Sequence, residues 1–267
     1  MRCVKPAKIR PVVKIVGGKF YQIDHILSNL PEHSRFVEVC GGGGSITLNK
    51  PPSQDIWNDL DTNLYDIFYY VKWFPQQFIE RLRELEYSEK TFLWAKELVP
   101  TKPFENAIKH YCLYRMSRGG MCKHFAYSNR LRGGQPGDIN AWITSLDNLE
   151  HVANRLSTVQ IRNQDFEILI YTYDSESTVF LIDPPYVKST RVSKQLYRLD
   201  WDESEHHRLA SVVNDIRGKC IICGYPSELY DTLFKGWRKE YKQIRNHASQ
   251  SKQKELKTEV LYMNFTC

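Results

Sequence analysis

Short runs of β-branched and aromatic residues alternate along this chain with longer stretches whose apolar residues return every three or four positions. The short runs, Phe36 to Cys40, Asp55 to Trp57, Val159 to Arg162, Val179 to Ile182 and Lys219 to Cys223, are read as strands. A late pair, near Glu240 to Arg245 and Glu259 to Phe265, is expected to close the sheet. Helical spacing runs through Thr62 to Phe74, Pro75 to Glu86 and Glu203 to Ile216. Strands alternating with helices predict an α/β domain with a largely parallel sheet. Residues 87–155 break the rhythm: helical patches are interrupted by Gly119-Gly120 and Gly133-Gly134, between the second strand and the third. This region is read as a helical insertion with mobile loops, within a main domain built from residues 1–86 and 156–267.

Composition narrows the class. At 267 residues, 42% of them hydrophobic, the chain can bury a full core without disulfides or a structural metal. Its seven cysteines are odd in number and scattered, which suits no disulfide framework. The close pair Cys220 and Cys223 lies inside an apolar run and has no second pair to complete a zinc site, so no metal is expected. No apolar run approaches the roughly 20 residues that span a bilayer, and Met1 to Arg10 lacks a secretory pattern; a cytoplasmic protein with no membrane partner is expected. The net charge of +6 favours a polyanion only weakly. Its distribution says more, because Lys109 to Arg132 holds six basic residues and no acid, interleaved with Tyr111, Tyr114, Phe125 and Tyr127. Cations beside aromatic rings suit phosphate neutralisation and base stacking, although a solvated surface would read the same way.

Three local patterns carry candidate chemistry. The first strand runs into Cys40-Gly41-Gly42-Gly43-Gly44-Ser45, where glycine lets the backbone turn sharply and approach a ligand. The second ends in Asn58-Asp59-Leu60-Asp61. An acid at that position of a doubly wound sheet accepts hydrogen bonds from ribose hydroxyls, and Asp59 is the residue chosen, with Asp61 better placed as a helix N-cap. The third and strongest is Val179-Phe180-Leu181-Ile182-Asp183-Pro184-Pro185-Tyr186. Two prolines in series make a stiff turn whose carbonyls no ladder consumes. Asp183 and the Pro184 carbonyl could thus grip both hydrogens of an exocyclic amine, while Tyr186 offers a ring for a base to stack on. Such an amine is a poor nucleophile because its lone pair is delocalised, and paired acceptors would favour the pyramidal nitrogen of the transition state.

In these motifs, and in their order, the sequence resembles the Dam-like class of adenine-N6 DNA methyltransferases over nearly its whole length. Val13-Lys14-Ile15-Val16-Gly17-Gly18-Lys19 resembles that class's N-terminal motif, Phe36 to Ser45 its glycine motif, and Asp183-Pro184-Pro185-Tyr186 its catalytic motif without a change. The resemblance implies a Rossmann-like methyltransferase fold, with helices on both faces of the sheet and an inserted target-recognition lobe. It implies S-adenosylmethionine as methyl donor, leaving as S-adenosylhomocysteine, held by Lys14, Gly17, Gly18, Lys19, Glu38, Cys40, Gly42, Gly44, Asp59, Asp183 and the adenine-holding pair Asp165 and Phe166. Nucleic-acid contacts are expected from Arg115, Arg118, Lys123, Asn129, Arg130 and Arg132, with Tyr197 in the post-catalytic loop. His206, in the helix that follows, is read as a surface residue. The sequence departs from the family at Ile15, usually aromatic, and at Val39-Cys40, usually Pro-Phe; it also lacks the Asn-rich pattern of GATC readers.

The expected partner is double-stranded DNA, from which one adenine is rotated out of the stack, with a cognate restriction endonuclease as a second candidate partner. Cytosine N4 in DNA and adenine N6 in RNA present a similar amine and stay open, as does a non-catalytic nucleic-acid-binding module on the same scaffold. A nicotinamide dehydrogenase shares the glycine turn and the ribose acid but has no use for the proline turn.

Overall fold

A computed structural model describes residues 7–128, 130–132, 134–191, 198–245 and 256–266. The chain divides into two compact units. One comprises residues 25–41, 52–61 and 162–267, and the other residues 1–24, 42–51 and 62–161.

A seven-stranded sheet organises the first unit, although Gln160 and Ile161 of its edge strand fall within the second. Its strands are β1 (Arg35–Glu38), β2 (Gln54–Asn58), β5 (Gln160–Arg162), β6 (Thr178–Ile182), β7 (Lys219–Gly224), β8 (Arg238–Arg245) and β9 (Leu256–Met263), in the order β5-β2-β1-β6-β7-β9-β8. β2, β1, β6 and β7 run parallel, whereas β9 lies antiparallel to both β7 and β8. Every residue of β6 is buried, as befits a central parallel strand, which reads as a continuous apolar run rather than an alternation. The chain leaves β1 for β2 on one side and later returns to β6 on the other. Open α/β sheets bind their ligands at such a reversal, beyond the carboxyl ends of the strands.

Helices α7 (Phe166–Tyr173), α8 (Glu203–Val213) and α9 (Glu228–Leu233) share a core with the sheet through Leu169, Ile170, Leu209, Val213 and Tyr230. Each begins at a side-chain cap: Asp165 accepts from Glu167 N, Asp202 from Ser204 N and Glu205 N, and Ser227 from Tyr230 N. The short helix α1 (Ile23–Ser28) runs across the division between the two units.

The second unit is helical: α2 (Thr62–Trp73), α3 (Pro75–Arg83), α4 (Glu89–Glu97), α5 (Pro103–Met116) and α6 (Gly137–Leu156), with a small antiparallel ribbon of β3 (Leu131–Arg132) and β4 (Gln135–Pro136). Pro75 and Pro103 occupy the first turns of α3 and α5, where no amide hydrogen is required. Tyr111 is fully buried between Phe78 and Trp142, at centroid distances of 5.7 and 5.8 Å. Lys72, near the end of α2, caps α6: its Nζ donates to the carbonyls of Leu156, Ser157 and Val159.

Candidate active site

Register makes the carboxyl edge of the sheet an acidic cluster. Glu38 of β1 stands level with Trp57 of β2 and Leu181 of β6, so two residues further on Cys40, Asp59 and Asp183 emerge side by side. Their proximity is felt at the thiol of Cys40. Burial, followed by Asp59, Asp183, Asp165 and Glu38, holds its pKa well above the ordinary value. Both effects favour the neutral thiol over the thiolate.

Asn58, fully buried at the end of β2, stitches this edge together. Its Nδ2 donates to the Val39 carbonyl at 2.8 Å and to the Gln164 carbonyl at 3.0 Å, and its Oδ1 accepts from Gln164 N at 2.9 Å. Asn163 Nδ2 donates to the Asp59 carbonyl at 2.7 Å. Asp59 Oδ1 accepts from Asp61 N at 2.9 Å, which orients its carboxylate. Asp61 precedes α2 and accepts from Arg198 Nε at 2.8 Å. Nothing in the sequence pattern marks Asn58 or Asn163, because their work lies in joining segments more than 100 residues apart.

Asp165 and Phe166 adjoin the same edge, and one cation engages both. Arg208 of α8 donates from Nη2 to Asp165 Oδ2 at 2.6 Å, and its guanidinium carbon lies 4.2 Å from the Phe166 ring centroid. Phe166 packs on Trp201 at 5.1 Å, and Trp201 on His206 at 5.4 Å. The structure corrects the surface reading of His206. The residue is 1% exposed, and its Nδ1 lies 3.0 Å from the Tyr230 hydroxyl. Burial, with Arg191 adding to it, lowers its pKa to about 4. The helical pattern gives no sign of this, because a histidine on an apolar stripe reads as polar.

In the proline turn Asp183 and Pro185 are half-buried, and Pro184 and Tyr186 are buried. The Tyr186 hydroxyl donates to Glu259 Oε2 at 3.1 Å. Downstream, Arg191 is paired with Asp200 at 3.0 Å; Tyr197 lies outside the described residues.

In the helical unit the N-terminal motif and the glycine turn pack together. Val12 N donates to the Gly43 carbonyl at 3.1 Å. Gly42 has φ of +50°, and a Cβ there would stand 2.4 Å from Cδ1 of Ile15, so the residue that departs from the family's aromatic lies against this glycine. Lys14, Gly17 and Gly18 are exposed, Gly44 is buried, and Lys19 is buried with its Nζ donating to the Gly17 carbonyl at 2.9 Å. Of the basic residues, Arg118, Lys123 and Arg130 are exposed, as is Tyr127. Arg115 is turned inward, donating from Nη2 to the carbonyls of Pro11 and Val12, both at 2.6 Å. Arg132 lies on β3, and Asn129 is outside the described residues. Among the described residues no group of histidine, cysteine or carboxylate side chains could hold a metal ion, and no helix is long and apolar enough to cross a membrane.

The family model for the D12 class N6 adenine-specific DNA methyltransferases matches residues 16–265. The chain belongs to that family. Its sheet is accordingly the Rossmann-like sheet of a methyltransferase, with Asp183-Pro184-Pro185-Tyr186 at the carboxyl end of β6. A DNA adenine methylase of Haemophilus influenzae is 22% identical over 97% of this chain and 94% of that protein. The modification methylase StsI of Streptococcus sanguinis is 23% identical over 77% of this chain and 33% of its own length. A DNA adenine methylase of Escherichia coli K12 is 28% identical over 44% of each.

Proposed function

We propose that this enzyme transfers a methyl group from S-adenosylmethionine to N6 of an adenine that has been rotated out of duplex DNA. The observation that carries the reading is the register of β1, β2 and β6, which sets Cys40, Asp59 and Asp183 level at one strand edge with Asp165 close by. A concentrated negative potential suits a sulfonium cation, and carboxylates on neighbouring strands suit ribose hydroxyls and an amine. When bound, the donor supplies an electrophilic methyl group.

The chain's own residues would do the rest. Asp59 would accept from the ribose hydroxyls. Asp165, held by Arg208, and the ring of Phe166 would receive the donor's adenine. Glu38 would add to the negative field, and Cys40 would supply apolar contact. In the helical unit, Lys14, Gly17, Gly18, Lys19, Gly42 and Gly44 are the donor contacts that family membership suggests. Asp183 and the Pro184 carbonyl would accept the two hydrogens of the target N6, favouring a nitrogen whose lone pair is free to attack. Pro185 would stiffen the turn and Tyr186 would stack on the extruded base. Extrusion costs a few kcal/mol, which stacking and hydrogen bonds in the pocket must offset.

For DNA, the exposed Arg118, Lys123 and Arg130, together with Arg132 and Asn129, are the contacts we assign to phosphates and base edges of a target-recognition lobe within residues 87–155. Tyr197 would cap the base. Arg115 serves this surface indirectly, because its guanidinium is engaged by the Pro11 and Val12 carbonyls. The name of the Streptococcus relative motivates testing for a companion restriction endonuclease. The reading as a whole is tested by methylating duplex DNA in vitro, digesting it to nucleosides and weighing the product. N6-methyl-2′-deoxyadenosine is expected; N4-methyl-2′-deoxycytidine, or methylation confined to RNA, would replace the proposal with one of its rivals.

A further inference from the structure

The catalytic tyrosine is held from behind by a strand that the catalytic motif does not contain. Val260 of β9 pairs with Gly224 of β7, so Glu259 and Tyr225 stand at the same sheet edge as Tyr186. Glu259 is 6% exposed and accepts the Tyr186 hydroxyl at 3.1 Å. The Tyr225 ring meets the Tyr186 ring at 79° with centroids 4.6 Å apart, and Lys257 Nζ lies 5.0 Å from the Tyr225 ring centroid. A tyrosine side chain has two torsions, and contacts at the ring and at the hydroxyl determine both. A buried carboxylate is expensive to retain unless hydrogen-bonded, and here it accepts from the ring that the chemistry needs in a fixed plane.

We propose that Glu259 is a positioning residue that orients the Tyr186 ring for the target base. The inference rests on the function proposed above. Its rival is a charge role, since Lys242 stands opposite Glu259 in the β8–β9 register. The two differ for Glu259→Gln, which keeps an acceptor for the tyrosine and discards the charge.

The test uses the purified full chain and unmethylated duplex DNA, with kcat and the KM for S-adenosylmethionine measured separately. Glu259→Met should lower kcat about 10- to 100-fold, the scale of a small misplacement of a reacting group, while the KM for the donor changes less than about 3-fold. Glu259→Gln should retain kcat within about 3-fold. Tyr186→Phe should lose as much as Glu259→Met, and the double variant no more than either. Should Glu259→Met fail to fold, Tyr186→Phe and Glu259→Gln still decide. An undiminished Tyr186→Phe, a Glu259→Gln as impaired as Glu259→Met, or losses that multiply in the double variant would overturn the proposal. A wild-type enzyme that makes no N6-methyladenine would instead overturn the function on which it rests.

Discussion

Gly119 and Gly120 are adjacent and share a left-handed backbone, with φ of +64° and +72°, yet their surroundings differ sharply. A Cβ on Gly119 would find nothing closer than Met121 at 3.9 Å, whereas one on Gly120 would stand 1.9 Å from the carbonyl oxygen of Lys14. Alanine at Gly119 therefore meets only the left-handed penalty of about 1–2 kcal/mol, partly offset by a stiffer unfolded chain worth about 0.4–1 kcal/mol. The net loss is about 1 kcal/mol. Alanine at Gly120 must in addition push backbone aside, an overpacking cost of about 1–3 kcal/mol, giving about 2–4 kcal/mol in all. At about 2–4 °C per kcal/mol for a chain of this size, Gly119→Ala should lower the thermal midpoint by about 3 °C and Gly120→Ala by roughly 6–12 °C. Circular dichroism melts of the two variants in one buffer make the comparison, and calorimetry with S-adenosylmethionine should show weakened binding for Gly120→Ala alone. Equal midpoints would refute the packing of the Lys14 carbonyl against Gly120.

Other outcomes follow from single contacts. His206 binds a proton in the unfolded chain near its ordinary value of 6.5 but in the fold only near pH 4. Stability should accordingly fall as pH drops from about 6.5 to 4, by up to about 3 kcal/mol; urea midpoints across that window should flatten in His206→Gln. Asn58→Ala removes three hydrogen bonds and should cost about 2–4 kcal/mol, with a donor affinity that drops because Asp59 and Asp165 lose their common brace. Neutralising Arg118 or Arg130 should weaken DNA binding: on all sequences, with salt dependence reduced by about one counterion, where the residue meets a phosphate, and with relaxed target choice where it reads a base. Arg115→Gln should lower the thermal midpoint instead, a pattern that melts and fluorescence-anisotropy titrations separate.

The strands are legible in the sequence because buried parallel strands are apolar throughout, and the proline turn because few folds place an acid and two prolines after such a run. Element ends are less so: the helix read to Ile216 stops at Val213, and the strand read from Glu259 to Phe265 spans Leu256 to Met263. Phe166 to Tyr173 has the composition of a strand, yet it is α7 because Asp165 caps its first turn. Asp165 and Phe166 stand out through the family pattern, but Arg208, which engages both, belongs to a different segment and carries no local signal. Arg115 shows the converse. In the sequence it is one of six cations in a basic run, and only the fold reveals that its charge is directed at the Pro11 and Val12 carbonyls.

In the proposed mechanism the carboxylate of Asp183 grips the target amine at the edge of the sheet. Single-turnover incorporation of tritiated methyl into duplex DNA by Asp183→Asn, with binding of DNA and donor measured alongside, tests it most directly. We predict a loss of about 10²-fold or more in rate, larger than any accompanying loss of donor affinity and with DNA affinity largely kept. Undiminished incorporation would show that methyl transfer does not depend on this carboxylate.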